Sequence, residues 1–543
     1  MNTPSPRGRR RARRYAVGAG IVTSLLTLAA CGSTHAGPSG GASASAVSAA
    51  FQTFTVAAPG SRTNLYVGDQ EGTVNHWIAA LVQEGLVWPT GNGGYKPALA
   101  TSWSEPNPTT YVFNLRQNAK FSDGAPLTAA DVVYSIQFAE SAKYSPDTSY
   151  YLADVKSVAQ TGPYQVTVKL TAPQNGFLGS LSTAGGLWVS SESYLKAHLS
   201  NIGTATGLIL GTGPYKVTRF VPDEGVWLTR DSTWWGGVPK IKNIVVTFYN
   251  DDSAEYLAAK SGAVDLALWI MPTQEPEWNS LSGFHVTNAQ EASYVGLVFN
   301  PNVAPFSDIH VRQAIADAFD KQTFVQGVLK GGDSQVATGI SAPTELLSAY
   351  SQAQATSLLA ALPQPPQSLA AAKAELAESK YPHGFTATLD WPNNGPQLGL
   401  AAQVLASDLA KIGITLKVTE VPIAQWLGSF ANSKIGLNFM WNQLATGDMS
   451  EYVEALLGPG NPSYYTNGPI TALLNEENSQ TNPQLRAQEI IALNKLADTT
   501  YLLDVPLWYE PIGMAFKDGL GIPGYNYATF YTPWATGIVR TQG

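Results

Sequence analysis

From Phe51 onward, apolar and polar positions keep switching between a period of two and a period near 3.6. In Tyr111-Val112-Phe113-Asn114-Leu115-Arg116, Tyr111, Phe113 and Leu115 share one face, which predicts a half-buried strand. The turn dipeptide Asp123-Gly124 follows, and Thr128 with Asp131 three residues on predicts a capped helix over Val132 to Ala139. Beyond the loop Gly211-Thr212-Gly213-Pro214, residues Tyr215 to Phe220 alternate as a strand. Asp308 is placed to cap a helix carrying Val311, Ala314, Ile315, Ala318 and Phe319 inward. Asp320 is placed to cap another, with Phe324, Val325, Val328 and Leu329 inward and Gly331-Gly332 at its end. Leu400, Val404, Leu405, Leu409 and Ile412 form a helical stripe closed by Gly413, and Ile414, Leu416 and Val418 then alternate as a strand. The Ser-, Ala- and Pro-rich residues 348–368 read as a surface excursion. Short strands interleaved with helices predict an α/β architecture.

The first fifty residues follow a different pattern. Arg7, Arg9, Arg10, Arg11, Arg13 and Arg14 precede a short apolar run from Ala16 to Ala30, the layout of a secretory signal peptide. Leu28-Ala29-Ala30-Cys31 resembles the bacterial lipobox, whose cysteine is acylated and becomes the mature N-terminus. Residues 1–30 are therefore expected to be a lipoprotein signal peptide, with Cys31 as the lipid anchor to the cell membrane. Residues 31–50, rich in Gly, Ala and Ser, are expected to be a flexible tether.

Composition narrows the functional classes. A chain of 543 residues that is 44% hydrophobic and 13% charged needs two or three packed lobes. Of its 32 basic residues, six lie in the first thirty, leaving 26 against 40 acidic ones, a net of −14. That balance gives no electrostatic footprint for nucleic acid. Cys31 is the only cysteine, so the folded part has no disulfide.

Catalytic and metal motifs are sparse. Ser193-Tyr194-Leu195-Lys196 fits the Ser-x-x-Lys pattern of a secreted serine hydrolase, but the companion motifs Ser-Asp-Asn and Lys-Thr-Gly are missing. Two such residues three apart on a helix more simply face solvent together. The six histidines, His35, His76, His198, His285, His310 and His383, form no i, i+3 or i, i+4 pair, which argues against nickel. The reading is a binding protein with no enzyme activity, no cofactor and no resident metal, expected to be a monomer.

Eight segments, in order, resemble the family 5 solute-binding proteins of ABC importers, the dipeptide-, oligopeptide- and nickel-binding type. They are Glu84 to Val87, Pro97 to Trp103, Tyr111 to Arg116, Lys120 to Ser135, Gly211 to Tyr215, Phe299-Asn300 with Pro305 to Ile315, Tyr381 to Phe385, and Leu409 to Ile414. The resemblance implies a two-lobed periplasmic-binding-protein clamp, type II-like and cluster C, with an additional domain and a two-strand hinge. It implies lobe I over 51–78, 207–292 and 509–543, an extra domain II over 79–206, and lobe III over 293–508. Its partners would be ABC permease and ATPase subunits, and it would work at the extracytoplasmic face of the membrane.

The resemblance also frames the ligand. Peptide-binding relatives carry Trp-x-x-Asp, whose acid takes the peptide amine; here Trp441 is followed by Leu444, with Asp448 four residues later. The Arg that holds a dipeptide carboxylate has no counterpart in Gln397 to Ala401. Buried ligand charges need partners, so oligopeptides are expected before dipeptides, with neutral oligosaccharides as the alternative. Trp441 is placed by the motif, with Asn442 beside it and Asp448 as the candidate amine holder. Trp188, Trp269 and Trp77 are candidate cleft walls, as is Trp391, and Tyr294 lies near the expected hinge.

Overall fold

The computed structural model describes residues 51–70, 72–329 and 333–541. The expected signal peptide, Cys31 and the tether lie outside the described residues, as does Gly331-Gly332.

Local signals account for most elements. Thr128 and Asp131 close a reciprocal capping box on the helix Ala129–Glu140, with Thr128 Oγ1 donating to the Asp131 carboxylate at 2.6 Å. Asp308 caps Ile309–Ala318 and Asp320 caps Lys321–Gly327. The second of these stops short of Val328 and Leu329, although Leu329 is still buried. The later stripe begins earlier than expected, as Pro396–Ala410, because Pro396 is preorganised for a first helical turn. Gly413 follows at φ 94°, a backbone angle that favours glycine. Residues 348–368 depart from expectation: they contain the helix Gln352–Ala360, whose Ala355 and Leu359 are fully buried. Its composition looked like a loop, yet Ser351 and Gln354 form a capping box. Arg312 is tied by three hydrogen bonds to the carbonyls of Phe306, Tyr501 and Leu502.

One sheet organises the molecule. Its strands run Leu437–Gln443, Phe284–Phe299, Asp504–Lys517, Leu266–Ile270, Thr53–Pro59, Asn243–Tyr249, Gly225–Arg230 and Tyr215–Val221, with Gln335–Val336 also pairing Asp504–Lys517. Phe284–Phe299 and Asp504–Lys517 are the long members, 16 and 14 residues, paired antiparallel along most of their length. Their register breaks between Ala289 and Ser293 and again between Val295 and Gly296. Bulges there bend and twist the pair locally. The expected lobe crossings near residues 292 and 509 fall on these two strands, which are called the hinge strands below.

Three larger apolar cores surround this sheet. One joins the Thr53–Pro59 and Asn243–Tyr249 strands to Trp77 and to Phe530 and Trp534 near the C-terminus. A second gathers Val295, Val311, Leu398, Leu405, Leu437 and Trp508. A third holds Phe113, Val132 and Val166 under a four-stranded sheet ordered Ala100–Asn107, Thr110–Leu115, Gln165–Leu170, Val155–Gly162. The stretch expected as a single lobe III is shared between cores: Ile340, Leu346, Leu444, Tyr452 and Ile490 pack in the first.

Candidate functional site at the hinge strands

Three tryptophans from separate parts of the chain meet beside the hinge. Trp77 comes from the helix Thr73–Ala79, Trp269 from the strand Leu266–Ile270 and Trp441 from the edge strand Leu437–Gln443. Trp269 lies 5.7 Å from Trp77 and 6.1 Å from Trp441, centroid to centroid. Trp77 is buried, whereas Trp269 and Trp441 are partly buried, each packed at the margin of an apolar core.

Backbone geometry aims the middle ring. Trp269 has φ 61°, where a bulky L-residue is strained, and it sits in a register break between Ala267 and Ile270 against the second hinge strand. Strain of this kind costs about 1–3 kcal/mol and collects at ligand sites. Trp391, partly buried, is the penultimate residue of the strand Thr386–Pro392, which is parallel to Thr415–Val421 and leads through Gly395 into the helix Pro396–Ala410. The carboxyl ends of parallel strands are where α/β folds place ligands.

Beneath Trp441 lies Glu510, on the second hinge strand and 2% exposed. Its Oε2 accepts from Trp441 Nε1 at 3.0 Å and from Gln397 Nε2 at 3.4 Å, and its Oε1 accepts from Trp508 Nε1 at 2.7 Å. Burial pushes this carboxyl up to about 7, against the pull of its three donors. At the far end of the same edge strand, Gln443 Oε1 accepts from Thr73 Oγ1 at 2.6 Å, linking it to the Trp77 helix.

The remaining expected site residues lie elsewhere. Asp448 is buried and committed, and the expectation that it holds a ligand amine is revised. Arg486 clasps both of its oxygens, at 2.6 and 3.0 Å, and also reaches Glu477 at 2.5 Å. The guanidinium and the Ser450 hydrogen bonds outweigh burial and hold Asp448 below the usual carboxylate range. Tyr294 is fully buried, donating to Asp504 and packing on Tyr452 and Tyr509. Trp188 is buried against His76, 5.1 Å away. Asn442 is half-exposed; its backbone pairs with Tyr294 and its carbonyl accepts from Ser293 Oγ. Thus Trp77, Trp269 and Trp441 come together, while Asp448, Tyr294 and Trp188 serve the interior.

Glu510 and Gln397 were missed. The signal was present: Glu510 is an acid inside a strand otherwise buried nearly throughout, an arrangement that calls for a reason. Ser193 and Lys196 share the helix Glu192–Ala197, where Lys196 is exposed and pairs with Glu192 at 2.5 Å. Among the described residues, no group of three or more His, Cys, Asp or Glu side chains is arranged to hold a metal ion.

Comparison with known proteins places this arrangement. The family model for bacterial extracellular solute-binding proteins, family 5 (middle region), matches residues 94–464. The chain belongs to this family. It is 25% identical over 508 residues to heme-binding protein A of Haemophilus influenzae, covering 86% of this chain and 89% of that one. It shares its fold with AgaA of A. tumefaciens R10, solved with agropinic acid, at a TM-score of 0.76 and 22% identity over 90% of this chain and 99% of the other. The ABC transporter-associated periplasmic binding protein DppA of Helicobacter pylori, solved with the peptide STSA, also has a TM-score of 0.76, at 19% identity over 90% and 98%. Leu444, three residues after Trp441, is fully buried, and its amide donates to the Ala292 carbonyl.

Proposed function

We propose that this family 5 protein captures oligopeptides outside the cytoplasm and delivers them to the permease and ATPase subunits of an ABC importer. It works as a monomer held to the membrane through lipid on Cys31, and it performs no bond chemistry. The observation that carries this reading is the Trp77–Trp269–Trp441 group beside two strands that run through the molecule. A ligand gripped between the two sides of such a hinge favours the closed form by its differential affinity for it. The peptide bound by the H. pylori relative supports a peptide ligand here. Leu444 and the engaged Asp448 argue against dipeptides, whose two charges both need partners.

A second reading is an uncharged oligosaccharide laid on the partly buried rings of Trp269 and Trp441. A thermal-shift screen of the purified protein against di- to pentapeptides and cello- and xylo-oligosaccharides separates the two, because a ligand of the folded state raises the melting temperature by mass action. The proposal predicts a rise with peptides of three or more residues. A rise with oligosaccharides alone, or with dipeptides best of all, contradicts it.

A further inference from the structure

Glu510 and Asp448 are both buried carboxylates, but their surroundings differ. The one guanidinium of Arg486 donates to both oxygens of Asp448. Glu510 has only neutral donors: two indole N–H groups and one amide. Among the described residues, no Lys, Arg or His forms an ion pair with it. A buried carboxylate without a counter-charge is costly unless something supplies the cation.

A second acceptor stands beside it. Gln397 is fully buried; its Nε2 donates to Glu510, while its Oε1 has no hydrogen-bond partner. An unpartnered buried acceptor destabilises the fold, so this pair of oxygens is poorly explained by packing alone. A protonated amine has three N–H donors to share and would satisfy both.

Trp441 connects this pair to the partly buried Trp269. It donates its N–H to Glu510 while its ring stands, also partly buried, against Trp269. A cation approaching over these rings gains from their π faces before it reaches the carboxylate. Gly395 packs closely against this group: a side chain there would begin 3.2 Å from both the Trp441 ring and Leu398.

We propose that Glu510, assisted by Gln397 Oε1, is the anchor for a protonated amine of the captured ligand, entering beside Trp441. This rests on the peptide-capture reading and supplies the amine partner that position 444 lacks. The amine belongs either to the peptide terminus or to a lysine side chain; the two share one chemistry. With its carboxyl near 7 before binding and no neighbouring charge contributing to that shift, Glu510 gives up a proton as the amine docks.

The test incubates the wild-type protein and Glu510→Gln with a randomised tetrapeptide library in three forms: free, acetylated at the terminus only, and acetylated at lysine only. Retained peptides are read by mass spectrometry, and the best is titrated calorimetrically at pH 7 in two buffers of different ionisation enthalpy. The two indoles donate to different Glu510 oxygens, so the glutamine keeps an acceptor for only one of them; melting curves report whether the variant folds, and the wild-type comparison of the three libraries tests the proposal independently. The expected result is at least tenfold weaker retention of amine-bearing peptides by the variant, with proton release only in the wild type. Whichever acetylation abolishes wild-type retention identifies the amine. Equal loss of free and acetylated peptides would assign Glu510 to holding Trp441 in place and overturn the proposal. Equal wild-type retention of all three forms would overturn it while leaving peptide capture intact. Retention of none would overturn both.

Discussion

Trp269 and Trp441 meet edge to face, their planes at 69°, although two hinge strands separate their own strands in the sheet. The contact depends on the left-handed backbone of Trp269, which turns the indole out of the regular ladder. The ring occupies a strained position, and the strain is a measurable quantity.

Replacing Trp269 by glycine and by alanine separates ring from backbone. Both variants lose the indole, but only glycine tolerates φ 61° freely. Denaturant unfolding should find Trp269→Gly more stable than Trp269→Ala by about 1 kcal/mol. Alanine as the more stable variant would mean that the backbone relaxes once the ring is gone.

Asp448→Asn should damage stability and spare binding. Removing one partner of a buried ion pair costs about 3–5 kcal/mol at most, and Arg486 loses the charge of Asp448 while keeping that of Glu477. Arg486 keeps Glu477 and Ser450 as partners, so the variant should melt below the wild type without unfolding and bind peptides unchanged. A binding defect without a stability defect would return Asp448 to the ligand.

Thr73→Val removes the hydroxyl that Gln443 accepts. That bond ties the Trp77 helix to the Trp441 strand, and a hydrogen bond of this type contributes about 1 kcal/mol. Peptide affinity should fall about fivefold by titration calorimetry, with the melting temperature of the ligand-free protein little changed. Unaltered affinity would show that the bond plays no part in holding ligand.

Stability should decline from mildly acidic to alkaline pH. Burial is the largest cause raising Glu84, Glu451 and Glu510 to about 7, and Asp504 to about 8. Each keeps its proton in the fold after the unfolded chain has released it. Stability is therefore lost as pH climbs from the ordinary carboxyl range, about 4.5, through these values. Asp448 works the other way, contributing stability that disappears only in stronger acid. Melting temperatures between pH 4.5 and 8.5 should be highest near the acidic end, and a maximum at pH 8.5 would contradict this.

The sequence was most legible where the cause is local. Thr128, Asp308 and Asp320 lie within a turn of the groups they cap, so composition and spacing reveal them. The tryptophan group was only half legible. Trp441 stood in a motif, but nothing near Trp77 or Trp269 indicates that residues 192 positions apart are neighbours. Asp448 was misleading for the same reason: its partner Arg486 is 38 residues away, and an acid beside a binding motif looks free until the fold brings the cation to it. Glu510 could have been singled out by its apolar strand, although its indole partner Trp441 lies 69 residues away.

The central claim is that ligand is gripped at Trp441 beside the hinge strands. The direct test is calorimetric titration of wild type and Trp441→Ala with the peptide that most raises the wild-type melting temperature. Trp441 lies at the margin of its core but donates to the buried Glu510, so the variant should melt below the wild type, and the titration is run at a temperature where both are folded. A half-buried aromatic anchor contributes about 2 kcal/mol or more, and affinity should fall roughly 30-fold. Equal affinity in a folded variant would place the ligand elsewhere and contradict the account.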